Sequence, residues 1–262
     1  DGIEPYYAVK ANPNKKILKL LDNLGCKFDC ASIKEIKECI NLNINANKIS
    51  FGNTIKKSTD IAEAASLGVN LFAFDCIEEL EKISENAVKP NVFCRIHVSN
   101  GGAEWPLSKK FGCNSSDAEI LLNEAKKLKL IPLGLSFHVG SQQLSTTTWD
   151  KAIKICSTIY KNMAKKGTVL NFINLGGGLP VNYKNKQINF YEYSKSIKSS
   201  LKIHFGNLIP SKVILEPGRF LVANTAVIET EVILIRRRGK ESTKWIYLDV
   251  GRYNGLAETE GE

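Results

Sequence analysis

Apolar and polar positions along this chain follow two periods that take turns. Short runs dense in β-branched and aromatic residues, at 6–9, 27–30, 49–52, 71–74, 92–98, 133–139, 172–175 and 213–215, read as buried strands. Between them, apolar residues recur every three to four positions at 15–24, 33–41, 59–67, 77–85, 117–128, 149–165 and 191–203, which predicts amphipathic helices. Gly25, Gly68 and Gly167 follow three of these stretches and suit left-handed helix caps. The strands and helices repeat as a β-α unit of roughly 25 to 30 residues, which either closes into a barrel or opens as a doubly wound sheet. A count of eight strands favours closure, so an α/β fold is expected, with 1–222 forming a (β/α)8 TIM-type barrel.

Beyond Arg219 the period changes to two. Residues 223–235 and 243–249 alternate threonine, valine and isoleucine with polar positions, around the polar turn 238–242. This predicts a hairpin, so 223–262 read as the beginning of a C-terminal β domain, sandwich or barrel, that is truncated here. Two strands alone are marginal in water. The chain also opens on Asp1, directly before a strand, so a segment upstream is expected.

Charge alters this picture little. The net charge of +9 comes from lysines spread along the helical stretches, which describes a solvated basic surface and gives no nucleic-acid partner. The cluster Arg236-Arg237-Arg238-Gly239-Lys240 has no interleaved aromatics and reads as a hairpin rim. Seven cysteines without a Cys-x-x-Cys pair, and no histidine at ligand spacing, point to a reduced, cytoplasmic chain with no metal. No apolar stretch is long enough for a membrane span.

Barrel enzymes place their chemistry at the C-terminal ends of the strands, and the polar residues gather there. The first predicted strand ends at Lys10, where burial would disfavour the ammonium and free a nucleophilic amine; a snorkelling lysine is the alternative. The second ends at Asp29 and the fifth at Arg95. Asp29 and Glu35 either orient Lys10 or cap the helix that starts near Ser32. The sixth ends at His138 and Ser141, the seventh at Gly176-Gly177-Gly178, the eighth at Glu216-Pro217-Gly218-Arg219. The loops after strands seven and eight of such barrels often hold phosphate, and here they carry the triple glycine and Arg219. A flexible turn is the competing reading of the glycines. A lysine that captures an aldehyde, beside a phosphate cradle, indicates pyridoxal 5′-phosphate (PLP). Glu216, facing the pyridine nitrogen, would keep it protonated and the ring electron-accepting. His138 is either a core histidine or a ring-stacking one, whereas His97 and His204 are expected to be structural.

Tyr7-Ala8-Val9-Lys10-Ala11-Asn12, Phe28-Asp29-Cys30-Ala31-Ser32, Ser136 to Ser141, Asn174 to Gly178 and Glu216 to Arg219 together resemble the fold-type III PLP-dependent basic amino-acid decarboxylases. Glu104 to Gly112 and Gln142-Gln143 look most like bacterial ornithine or lysine/ornithine decarboxylases. The resemblance implies a Schiff base on Lys10, His138 stacked on the ring, Ser141, Gly178 and Arg219 on the phosphate, and Glu216 on the ring nitrogen. It implies L-ornithine decarboxylation to putrescine in polyamine biosynthesis, or lysine to cadaverine. It also implies a homodimer in which the partner's C-terminal domain completes each site with a Cys-Asp pair and a tyrosine. Asp249 is the position that matches a substrate-binding acidic residue. Diaminopimelate decarboxylase on the same scaffold, and a non-catalytic PLP-binding or regulatory homologue, are the rival readings.

Overall fold

The computed structural model describes residues 2–99, 101–105, 110–183, 188–239 and 242–256. The chain divides into two units, Asp1–Ala223 and Asn224–Glu262.

The first unit is a closed parallel barrel. Its staves in chain order are β1 (Ile3–Ala8), β2 (Lys27–Cys30), β3 (Ile49–Phe51), β4 (Leu71–Phe74), β5 (Asn91–Arg95), β7 (Ile131–Ser136), β9 (Phe172–Asn174) and β10 (Lys212–Leu215). Each pairs with the next, and β1 closes the ring on β10 through Ile3↔Val213 and Pro5↔Leu215. The runs are rich in apolar residues because the staves are largely covered on both faces; all of Leu71–Phe74 is buried. Inside the ring, Tyr6, Leu71, Ala73, Phe93, Phe172 and Ile214 form one core, and a larger core lies between the staves and the helices.

Helices α1 (Lys15–Asn23), α2 (Ile33–Asn41), α3 (Ser58–Ser66), α4 (Ile77–Asn86), α5 (Ser115–Lys127), α6 (Thr147–Lys165) and α7 (Phe190–Phe205) connect the staves, and α8 (Arg219–Val222) follows β10. α2 shows how the sequence sets a boundary: Ser32 Oγ accepts from Glu35 N (3.3 Å) while Glu35 Oε2 reaches back to Ala31 N (2.7 Å), and Ile36 and Cys39 turn inward. Gly25, Gly68 and Gly167 take φ of +82°, +91° and +77° just past α1, α3 and α6, as the left-handed caps require.

The structure departs from the sequence reading in three places. β6 (Ala103–Trp105) and β8 (Ser141–Gln143) form a small antiparallel ribbon above the barrel that has no alternating apolar signal. β7 carries an irregularity where Gly134 replaces Leu133 in register with β5. There Tyr160 of α6 donates to Phe172 O and accepts from Leu135 N (3.2 Å), and a Cβ on Gly134 would lie 2.3 Å from that hydroxyl. In the second unit, the hairpin of β11 (Val232–Arg237) and β12 (Lys244–Leu248) starts at Val232, well after the expected Ala223. Beyond it Asp249 N still donates to Glu231 O (3.2 Å), and the Asp249 carboxylate accepts from Thr230 Oγ1 and Glu231 N. The hairpin residues are exposed on both faces.

Candidate active site

At the C-terminal mouth of the barrel lies a cavity of about 310 Å³ whose walls include Lys10, Asp29, Asn53, Arg95, His138 and Glu216. Lys10 is not in β1 itself but on a single 3-10 turn, Val9–Ala11, pinned by Tyr7 Oη donating to Asn12 O (3.0 Å). Its side chain is exposed at the cavity, so the burial expected for it is absent: the turn carries Lys10 past the end of the strand, where the neighbouring staves no longer cover it.

Asp29 stands on β2 with its carboxylate accepting from Ser50 Oγ of β3 at 2.7 Å. Burial pushes its proton affinity up, while Ser50 and the charges of Lys10 and Arg95 oppose that. Gly52 is the floor beneath it, since a Cβ at that position would fall 2.0 Å from Asp29 Oδ1. Glu35 is the cap of α2, so of the two readings for it the helix-capping one is realised, and its charge also lies close enough to act on Asp29 and Lys10.

Glu216, just after β10, is gripped from β9. Asn174, wholly buried, donates through Nδ2 to Glu216 Oε1 and accepts from Gly176 N at 2.9 Å. Burial, then the negative charge of Asp29, push the Glu216 carboxyl up to about 8; Asn174, Arg95 and Lys10 pull the other way. The group therefore carries a proton at neutral pH unless a base faces it.

His138 accepts from Gly140 N at Nδ1 (3.0 Å), which leaves the ring proton on Nε2. Burial, then Arg95 and Lys10, push its pKa down to about 3, so the imidazole is neutral. Behind it the glycines are structurally exacting. Gly176 and Gly178 take φ of +67° and +99°, and added Cβ atoms would meet Phe137 O and Gly140 O at 2.1 Å each. Gly177 would place a Cβ 3.2 Å from His138 Nε2 and 2.7 Å from Glu216 O. Gly176 and Gly177 are buried, which rules out the flexible-turn reading. Arg219 Nε donates to Ser141 Oγ (3.3 Å) and its Nη1 to Tyr183 Oη (3.4 Å), gathering a cation and hydroxyls beside this loop. A Cβ on Gly218 would press on Ala8 and Ala11 at 3.2 and 3.1 Å, so this loop packs directly against the Lys10 turn.

Several participants were not legible beforehand. Ser50, Gly52 and Asn174 act by touching Asp29 and Glu216 from neighbouring staves, a relation that only the barrel register creates. His97, expected to be structural, lines the cavity one residue past Ile96, whereas His204 is structural, bonded through Nε2 to Asp150 at 2.8 Å. Asp249 lies in the second unit with its carboxylate engaged as described. Of the segment Glu104 to Gly112, positions 106–109 lie outside the described residues.

An amine at the rim, a carboxyl held by an amide, a neutral imidazole, and an arginine with hydroxyls beside glycines that leave no room for a Cβ are the complement of PLP. The residues present fit that coenzyme. The family model described as "Pyridoxal-dependent decarboxylase, pyridoxal binding domain" matches residues 1–223. An ornithine decarboxylase of Schizosaccharomyces pombe is 33% identical over 254 residues, 97% of this chain and 57% of that protein. A lysine/ornithine decarboxylase of Selenomonas ruminantium is 32% identical over 250 residues, 95% of this chain and 62% of that protein. The crystal structure of an arginine decarboxylase from Paramecium bursaria Chlorella virus, bound to agmatine, superposes with a TM-score of 0.89 at 30% identity, covering 99% of this chain and 68% of that one. The chain thus spans between half and two thirds of the curated relatives it matches.

Proposed function

This chain belongs to the pyridoxal-dependent decarboxylases, and from that premise we propose that the protein removes the α-carboxylate of a basic amino acid, L-ornithine foremost, yielding putrescine and CO2. The observation that carries the reading is the convergence of Lys10, neutral His138 and Asn174-held Glu216 on one cavity. Relatives acting on ornithine, lysine and arginine support a basic substrate and leave lysine as the second choice.

Bound in the cavity, PLP supplies an aldehyde for amines and a ring that accepts the electron pair released when CO2 departs. The chain's own residues have the following tasks in this reading. Lys10 Nζ would be the amine that holds the coenzyme in the cavity. With PLP bound, Glu216, held by Asn174 and within reach of the Arg95 charge, would be the group that shares a proton with the ring nitrogen. His138 offers a flat, uncharged face that would cover the coenzyme ring without competing for the proton. Arg219 and Ser141, with the Gly178 backbone, take the phosphate. Asp29, held by Ser50, would lie close enough for its charge to act on Lys10.

The exposed Lys10 and the open cavity support completion of each site by a second copy of the protein. Among the described residues no helix is long and apolar enough to cross a membrane. Cysteines that are free and mostly buried support a reducing, cytoplasmic setting.

The test uses full-length protein loaded with PLP and labelled ornithine, lysine, arginine and meso-diaminopimelate. CO2 release with kcat/KM highest for ornithine is expected. Release from meso-diaminopimelate alone would move the protein to that rival activity, and PLP binding without any release would make it a non-catalytic homologue.

A further inference from the structure

Lys56, between β3 and α3, has none of its side chain exposed (0%) and does not line the cavity. Its ammonium donates to two backbone carbonyls, Asn53 O at 2.8 Å and Ala73 O at 2.6 Å, and forms an ion pair with Glu79 Oε1 at 2.8 Å. Glu79 is shared, because Lys82 Nζ sits 2.6 Å from its other oxygen and also donates to Lys56 O. The knot therefore joins the segment after β3, the end of β4 and the first turn of α4.

Its reach toward the cavity runs through Asn53. While Lys56 holds Asn53 O, the Asn53 side chain donates from Nδ2 to Ala31 O (3.3 Å) and accepts from Ile55 N (3.2 Å). Ala31, Gly52 and Asn53 are cavity wall, and Gly52 is the residue against which the Asp29 carboxylate rests. Burying an ammonium to tie loops together costs more than an apolar contact of the same size would. Here burial pushes its pKa down to about 8 although Glu79 opposes the shift. What the charge gains over an apolar side chain is direction: two hydrogen bonds on backbone carbonyls, one of them that of the cavity-wall residue Asn53, and an ion pair.

We propose that Lys56 is a positioning residue that sets the Gly52–Asn53 wall, and through it Asp29 beside Lys10, so that coenzyme and substrate affinity depend on an ammonium outside the cavity. The inference rests on the functional reading above for the identity of those ligands.

Full-length wild type, Lys56→Met, Asn53→Ala and the double variant are compared for PLP dissociation constant by fluorescence, KM and kcat for ornithine, and melting temperature. Lys56→Met leaves Glu79 paired with Lys82, so the fold is expected to survive. The dissociation constant and KM should each rise roughly tenfold with kcat changing less, and the double variant should be no worse than Lys56→Met, because both changes release the same wall. A lower melting temperature with unchanged affinities, or effects that multiply in the double variant, overturns the proposal. If Lys56→Met does not fold, Glu79→Gln loosens the ammonium instead and is read against Asn53→Ala in the same way. If wild type binds no PLP, the functional reading fails separately. The wall is then followed by amide exchange at Gly52, whose N–H bonds Cys30 O at 3.0 Å; unaltered exchange in Lys56→Met rejects positioning.

Discussion

Asn174 and Glu216 come from adjacent staves, and a single buried amide serves both: it donates to the Glu216 carboxyl and accepts from the Gly176 backbone. The glycine loop and the acid are thereby held as one piece. Glu216→Gln keeps the size and a hydrogen-bonding partner for Asn174 but can neither store nor give up a proton. PLP should still bind, while kcat for decarboxylation should fall by about 10²- to 10⁴-fold. Steady-state kinetics beside coenzyme content per protein measures this, and near-normal kcat would remove Glu216 from the reaction.

The coenzyme-free protein should show two opposed pH slopes. Glu216 has its carboxyl raised from 4.5 to about 8, so between these values the folded chain binds the extra proton and stability declines as pH rises. His138 is lowered from 6.5 to about 3, so there the unfolded chain binds the extra proton and stability grows with pH, in full above 6.5. Above 6.5 the declining slope of Glu216 therefore stands without His138 against it until about 8. Melting temperatures taken across that interval should drop in wild type and flatten in Glu216→Gln; an equal drop in both points to a different group.

Lys10→Ala should bind PLP without the visible absorbance near 420 nm, about the wavelength of a protonated Schiff base of this coenzyme. Activity should vanish with it. A spectrum identical to wild type would mean that another amine is the attachment point.

Two glycines should prove intolerant for different reasons. Gly176→Ala adds a Cβ 2.1 Å from Phe137 O in a backbone with φ +67°, and should cost on the order of 2 to 4 kcal/mol of stability by chemical denaturation. Gly52→Ala meets a side chain, Asp29 Oδ1 at 2.0 Å, which can turn away. Coenzyme affinity should fall there more than stability does. The reverse ranking would show that the wall beneath Asp29 is not part of the binding surface.

The barrel was largely written in the chain because the staves are rich in apolar residues and the connections between them carry helices; Lys27–Cys30, Leu71–Phe74 and Ile33–Asn41 begin and end where their patterns do. The ribbon of β6 and β8 escaped because each strand is only three residues long, too short for a periodic signal. At the site, residues that face the cavity from strand ends could be named. Those that work at one remove could not: Asn174 looks like any strand-end asparagine, and Lys56 like any lysine, until the register of neighbouring staves gives them partners. The exposure of Lys10 was missed because a strand pattern does not reveal that the last residues coil into a turn.

The ring is sealed by its earliest and latest staves, with Ala8 N bonded to Pro217 O at 3.1 Å right beside Lys10 and Glu216. During synthesis the amine leaves the ribosome some two hundred residues ahead of the acid it must face, so no nascent intermediate contains a working centre. Closure of the seam between β1 and β10 and birth of the site are the same long-range event.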